Sequence, residues 1–238
     1  MLARLILLSV MALAPAGPYN QGNRLYARKD YAGAIHAYEQ ALKAGPSADV
    51  CYNLGNALFK SGRIGPAIVQ YRRACYLHPR DADIGRNLSF ARSYRVDKVL
   101  TVPDPLTRAL DRVFHLLSRR EAALLAAVSF LLAALSLSAW IVRRGTVSIF
   151  GTAVLATLSL FCLITQWAWT GEVGANPAVV VAPEVNALSG PGEEFKQILL
   201  LHDGTEVRIR ERRGDYLLVQ LPGGSGGWIR AEAVERVY

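Results

Sequence analysis

Polar and apolar positions divide the 238-residue chain into three regimes. Over residues 20–94 apolar side chains recur at the three- and four-residue spacing of an amphipathic helix, interrupted by short polar turns. That pattern predicts helices over 20–27, 31–44, 50–60 and 64–77, with Pro46 and Pro79 stopping every second one. Two runs without any charged residue follow, 122–142 and 146–170. At 1.5 Å per residue about 20 residues match a hydrocarbon core of about 30 Å, so each run is long enough to cross a bilayer. Only Arg143, Arg144 and Gly145 separate them, which predicts a tight hairpin. From Ala178 onward the pattern becomes short alternating runs, 179–181, 197–201, 206–211, 216–221 and 227–230. Asp203-Gly204, Gly214-Asp215 and the Gly-rich stretch 222–227 punctuate them, and five strands of a small all-β domain are expected.

The N-terminus carries one positive charge, Arg4, then an apolar run over 5–14 and small residues at Ala14 and Ala16 around Pro15. This is the layout of a secretory signal spanning 1–16, with an uncleaved anchor as the alternative. Either way the following segment is exported. The charges around the hairpin conflict: Arg143 and Arg144 favour a cytoplasmic turn, whereas Arg108, Arg112, Arg119 and Arg120 favour cytoplasmic flanks. The signal decides between them, placing the turn in the cytoplasm and both flanking regions outside it. Trp140, Trp167 and Trp169 stand near the ends of the runs, where indoles prefer the lipid–water boundary.

Composition agrees with a lipid-facing segment. Hydrophobic residues make up 52% and charged residues 19%, below the roughly 25% of soluble proteins, and mean hydropathy is +0.20. The net charge of +8 is unevenly spread. Residues 18–118 hold 15 basic and 8 acidic side chains, whereas residues 171–238 hold 7 and 10, so the two flanking regions differ in sign. A basic segment steers an acidic partner, although scattered solvated Lys and Arg give the same total. No nucleic-acid-binding motif accompanies these charges, which excludes nucleic acid as a partner.

A shift of 33 residues superposes Gly22 on Gly55, Ala34 on Ala67, Tyr38 on Tyr71, Ala41 on Ala74 and Pro46 on Pro79. Such helix pairs bury their faces only by stacking. The second block, with Leu54-Gly55, Leu58, Ala67, Tyr71, Ala74 and Pro79, resembles the tetratricopeptide repeat (TPR). The first block is a weaker match, and a partial third, Asn87-Leu88-Ser89-Phe90-Ala91, reads as a terminal capping helix whose Arg86, Arg92, Arg95 and Asp97 suit a solvated outer face. About two and a half repeats thus occupy 17–98. The resemblance implies a groove lined from the first helix of each repeat: Tyr19, Asn23, Tyr26, Tyr52, Asn56, Phe59, Lys60, Arg86 and Phe90. There an Asn can bond both a peptide N–H and a C=O, and an aromatic ring adds apolar contact at low entropy cost. Tyr26 and Phe59 read equally well as inter-helix core.

Residues 99–120 form a linker. Within it 106–118 reads as an amphipathic helix, with Leu106, Leu110, Val113, Phe114 and Leu117 on one face and Arg108, Asp111 and Arg112 opposite. A membrane-surface helix and a helix packed under the repeats both fit. The two spans occupy 121–170. The stretch 171–238, through Ser189-Gly-Pro-Gly192, His202-Asp-Gly204, Gly214-Asp-Tyr216 and Gly227-Trp228-Ile229, resembles a bacterial SH3 domain. That implies an SH3-like barrel with Tyr216 and Trp228 on its ligand surface, though a barrel Trp is as often a plug between sheets.

Catalytic motifs are absent from the sequence. His36, His78, His115 and His202 fall in separate elements and read as solvated or helix-end residues. Neither an H-E-x-x-H pair nor a C-x-x-C spacing is present, which argues against a metal or cofactor. No Ser lies in G-x-S-x-G. Cys51 and Cys75 fall near one end of a helix pair, which leaves an exported disulfide open beside small core filling. The order of parts gives a multidomain chain: an α-helical TPR solenoid, a two-helix transmembrane hairpin and a C-terminal SH3-like barrel. It resembles the TPR/SH3 proteins of bacterial aerotolerance (Bat) operons. The resemblance implies a non-catalytic scaffold in the bacterial inner membrane, with periplasmic TPR and SH3-like domains, in cell-envelope stress tolerance. Implied partners are proteins such as membrane-anchored von Willebrand A-type proteins, together with the bilayer. The alternative is a peptidoglycan-binding anchor acting through the SH3-like domain.

Overall fold

The structure, a computed structural model, describes residues 16–97, 104–143 and 146–238. The expected signal segment and the turn at Arg144-Gly145 lie outside the described residues. Two compact units emerge, one from residues up to 101 together with 176–238, the other from 102–175.

The first unit begins with five helices, α1 (Ala16–Ala27), α2 (Tyr31–Leu42), α3 (Ala48–Lys60), α4 (Ile64–Leu77) and α5 (Ala82–Ser93). Two of them start on a capping aspartate. Asp30 accepts from the Gly33 amide at the head of α2, and Asp81 accepts from the Asp83 and Ile84 amides at the head of α5. Glycine sets the spacing within each repeat. A Cβ on Gly22 would sit 2.5 Å from the Tyr38 ring, and one on Gly55 would sit 2.8 Å from the Tyr71 ring, so each tyrosine fills the gap left by a missing side chain. The core around them holds Ala34, Leu54, Leu58, Ala67, Ile68 and Tyr71, all buried, and it also takes in Val179 and Val237 from the C-terminal region.

That region is an antiparallel sheet of β1 (Pro177–Val180), β2 (Glu184–Leu188), β3 (Gln197–His202), β4 (Glu206–Arg213), β5 (Tyr216–Gln220), β6 (Gly226–Arg230) and β7 (Val234–Arg236), in the order β3-β2-β6-β5-β4-β1-β7. Seven strands replace the five expected. β2 contains Asn186, which reads as a turn residue yet pairs with Leu200, and β7 is too short to show alternation and exists through pairing with β1. The pairing ends at β3 and β7 and does not close the sheet. Its core is Ala178, Val180, Ala187, Leu201, Val207, Ile209, Leu217, Val219 and Ile229.

The second unit holds α6 (Pro105–Phe114), α7 (Arg119–Arg143) and α8 (Thr146–Gly174). Residues 119–142 and 148–174 are long and apolar enough to cross a membrane by length and composition. α7 and α8 run antiparallel, tied by Gln166 Nε2 donating to Arg119 O (2.6 Å), Ser159 Oγ to Ala126 O (3.4 Å) and Ser136 Oγ to Ser148 O (2.8 Å). Trp169, near the end of α8, packs on protein. It is 4% exposed, its Nε1–H donates to Leu117 O (2.9 Å), and its ring meets His115 edge-on at 4.3 Å.

Candidate functional site

The first helices of the repeats, α1, α3 and α5, carry all nine expected groove residues, and a repeated polar ladder joins them. Asn23 Oδ1 accepts from Tyr38 OH (2.8 Å) and from Asn53 Nδ2 (3.1 Å), and Asn53 Nδ2 also donates to Tyr19 OH (3.1 Å). One repeat later Asn56 Oδ1 accepts from Tyr71 OH (2.8 Å) and Asn87 Nδ2 (2.9 Å), while Asn87 Nδ2 donates to Tyr52 OH (3.0 Å). Burial reinforces these hydroxyls as protonated donors: it pushes Tyr38 up to about 12 and raises Tyr71 as well. The ladder uses the acceptor of each groove Asn internally. Among the described residues neither Nδ2 of Asn23 nor Nδ2 of Asn56 makes a hydrogen bond, so each can donate to a carbonyl of a bound segment.

Beyond the ladder the surface turns aromatic. Phe59 lies 5.5 Å from Phe90 and 5.2 Å from Tyr94, centroid to centroid, and Phe90 and Tyr94 are 54% and 57% exposed. Tyr26 packs edge-on against Tyr31 at 5.4 Å and remains half-buried. Lys60 and Arg86 are exposed, Arg86 paired with Asp83 on its own helix. Tyr94, Asn53 and Asn87 were not singled out from sequence. The echo of Asn53-Leu54 in Asn87-Leu88 was the available signal for the two asparagines, whereas Tyr94 follows the end of α5, where the repeat pattern fades. On the sheet, Trp228 is 7% exposed beneath the Arg213 guanidinium (5.2 Å), and Tyr216 is half-buried with Arg230 at 5.9 Å.

A second cluster joins repeats to sheet. Glu206, at the start of β4, receives Arg92 bidentately (Nε 2.8 Å, Nη2 2.8 Å), Arg95 Nη1 (2.9 Å) and Arg72 Nη1 (3.4 Å). Burial alone would raise its carboxyl; the bonds and charge of Arg92, with Arg72 and Arg95, outweigh it and hold the group below the usual range. Asp97 accepts from His202 N (2.8 Å), lies 2.9 Å from His202 Nδ1 and accepts from Thr205 Oγ1. Burial opposes its ionisation, but these bonds prevail and its pKa is lowered. Arg73 donates to Val237 O (2.9 Å) and Arg236 O (2.7 Å) and pairs with Glu235. Arg92, Arg95 and Asp97 are therefore not a solvated outer face, because the sheet covers it. His202 is likewise a bonded strand-end residue. Part of the basic charge of 18–118 finds its acidic partner within the chain. Cys51 is buried, and no disulfide joins it to Cys75.

Paired helices with a glycine–tyrosine spacer at each crossing define an array of helical repeats. Residues 19–82 match the tetratricopeptide repeat family, a span running from α1 to the first residue of α5. The protein thus contains tetratricopeptide repeats, a non-catalytic protein-interaction fold. The chain has no match among curated proteins.

Proposed function

We propose that the protein is a membrane-anchored, non-catalytic scaffold whose repeats grip an extended segment of a partner protein. The observation that carries this is the ladder: Asn23 and Asn56 present amide donors at equivalent repeat positions, flanked by Tyr19, Tyr26, Tyr52 and the exposed Phe59–Phe90–Tyr94 cluster. Donors at repeat intervals suit the carbonyls of an extended chain, and the rings add apolar contact. The hairpin α7–α8 is the anchor. Two spans between parts that pack together is the even number such packing requires, which supports both flanks lying on one side, the periplasmic side on the signal-peptide reading.

On its sequence we read the C-terminal sheet as akin to a bacterial SH3 domain, and its docking on α4 and α5 supports the scaffold over an independent wall anchor. Resemblance to the Bat-operon proteins makes a membrane-anchored von Willebrand A-type protein the first partner to test. The experiment is co-purification from native membranes of the wild type and a Lys60→Glu/Arg86→Glu/Phe90→Ala variant, all three side chains being solvent-accessible. Loss of a partner with an unchanged melting temperature is expected; an unchanged partner set discards the groove. Sedimentation of the full chain, in detergent, with purified cell wall is expected to leave it in the supernatant, and co-sedimentation would favour the wall-anchor reading.

A further inference from the structure

The helix α6 leaves most of its apolar face uncovered. No residue of it is buried, and Leu106, Leu110 and Val113 are 69%, 45% and 48% exposed on one side, with Arg108, Asp111 and Arg112 on the other. A face of this kind is stable only against an apolar phase. What that phase is follows from depth along the hairpin. The Gln166–Arg119 bond marks the level at which α7 starts, and successive ties run deeper at Ser159–Ala126 and Ser136–Ser148. Phe114, at the end of α6 and on its apolar side, packs against Phe161 with centroids 6.1 Å apart. Phe161 lies five residues deeper than Gln166, about 7.5 Å at 1.5 Å per residue. The chain therefore reverses between α6 and α7 and dips alongside α8. His115 and Leu117 hold the reversal against Trp169, and His115 Nε2 lies 3.3 Å from Glu172.

We propose that α6 is an in-plane membrane anchor, its Leu106–Leu110–Val113 face seated among the acyl chains of the leaflet next to the α7 entrance and its Arg108 and Arg112 at the level of the lipid phosphates. The occupant is the phospholipid bilayer, because the helix runs within a few residues into a segment of spanning length and its last ring already reaches below that segment's start. Arginine is suited to this position: its apolar stem lies along the helix while the guanidinium bonds phosphate. This rests on the reading of α7 and α8 as spans.

The test is photocrosslinking of the full chain in native membranes, with p-benzoylphenylalanine placed singly at Leu106, Leu110, Asp111 or Leu131. Leu131 faces outward from α7, 59% exposed, and reports whether the hairpin is in lipid at all. Lipid adducts at Leu131, Leu106 and Leu110, in clear excess over Asp111, are expected. Adducts at Leu131 with none at Leu106 and Leu110, or protein adducts to the repeats or to a second copy from those two positions, overturn the in-plane anchor and leave the hairpin standing. Absence of lipid adducts at Leu131 overturns the spanning reading itself.

Discussion

The backbone amide of Gly65 lies 3.0 Å from Oδ1 of Asp203, 138 residues further along the chain. Asp203 Oδ2 takes the neighbouring Ile64 amide, also at 3.0 Å. The N-cap residue of α4 is Arg63, whose own side chain makes no capping bond, so a residue of the β3–β4 turn caps a helix of the repeats. Close approach is a condition of this arrangement: a Cβ on Gly65 would fall 2.2 Å from Asp203 Oδ1 and 2.3 Å from Val180 O.

Gly65→Ala is therefore expected to destabilise the protein by roughly 1–3 kcal/mol, the cost of overpacking, although alanine in a helix gains up to about 1 kcal/mol over glycine. The neighbour that must yield includes backbone, which sets the sign. Thermal unfolding measures the loss, and amide exchange over 200–206 is expected to accelerate. A stabilised variant would show that the turn is not seated on α4.

Glu206→Gln leaves Arg72, Arg92 and Arg95 facing a neutral amide. Breaking a buried pair costs roughly 3–5 kcal/mol; Arg92 is 37% exposed and solvent screens part of its charge, so about 3 kcal/mol is expected by urea unfolding. A loss under about 1 kcal/mol would be that of a surface pair.

Tyr71→Phe removes the hydroxyl that donates to Asn56, and Tyr38→Phe the one that donates to Asn23. Each is expected to cost about 1 kcal/mol. Asn56→Leu leaves the Tyr71 hydroxyl and the Asn87 amide without their acceptor and is expected to cost more, about 2 kcal/mol. Equal losses for Tyr71→Phe and Asn56→Leu would contradict the ladder.

Acid is expected to loosen the joint between repeats and sheet. Glu206 and Asp97 both have lowered pKa values, so their contribution is complete above the ordinary carboxylate range and is lost as pH falls through their folded values. Asp203 has the opposite sign. Burial raises it, only partly offset by the Gly65 and Ile64 amides, so it favours folding when protonated and opposes the other two. Stability measured from pH 7 down to pH 3 is expected to fall less steeply in Glu206→Gln than in the wild type. His115 behaves differently again: the Glu172 carboxylate, 3.3 Å from its Nε2, raises its pKa against the effect of burial, so its contribution is present in acid and is lost as pH rises through the folded value. His115→Gln is expected to abolish that dependence.

Helices α2 to α4 were legible because a core-facing stripe and a 33-residue echo are local signals, and their observed ends differ from expectation by no more than two residues. Strands β2 and β7 were not, since Asn186 resembles a turn residue and three residues cannot display a period. The expected groove positions came from the resemblance to tetratricopeptide repeats, and they fall on α1, α3 and α5. The internal use of Asn23 and Asn56 was not legible, because their partners Asn53 and Asn87 stand on other helices. Least legible was the joint: Arg92, Arg95 and Asp97 look like any polar helix end until Glu206, His202 and Thr205 arrive from more than a hundred residues away.

That separation orders events during synthesis. A ribosome adding roughly 5–20 residues per second needs about 6–23 seconds to travel the 114 residues from Arg92 to Glu206. For that interval the newborn repeats carry an uncapped α4 and an unmatched patch of arginines, and α7 and α8 must both be synthesised before relief comes. Completion of the N-terminal part is in this way deferred until β4 has been made, and a nascent chain released before Glu206 would keep an unfinished joint.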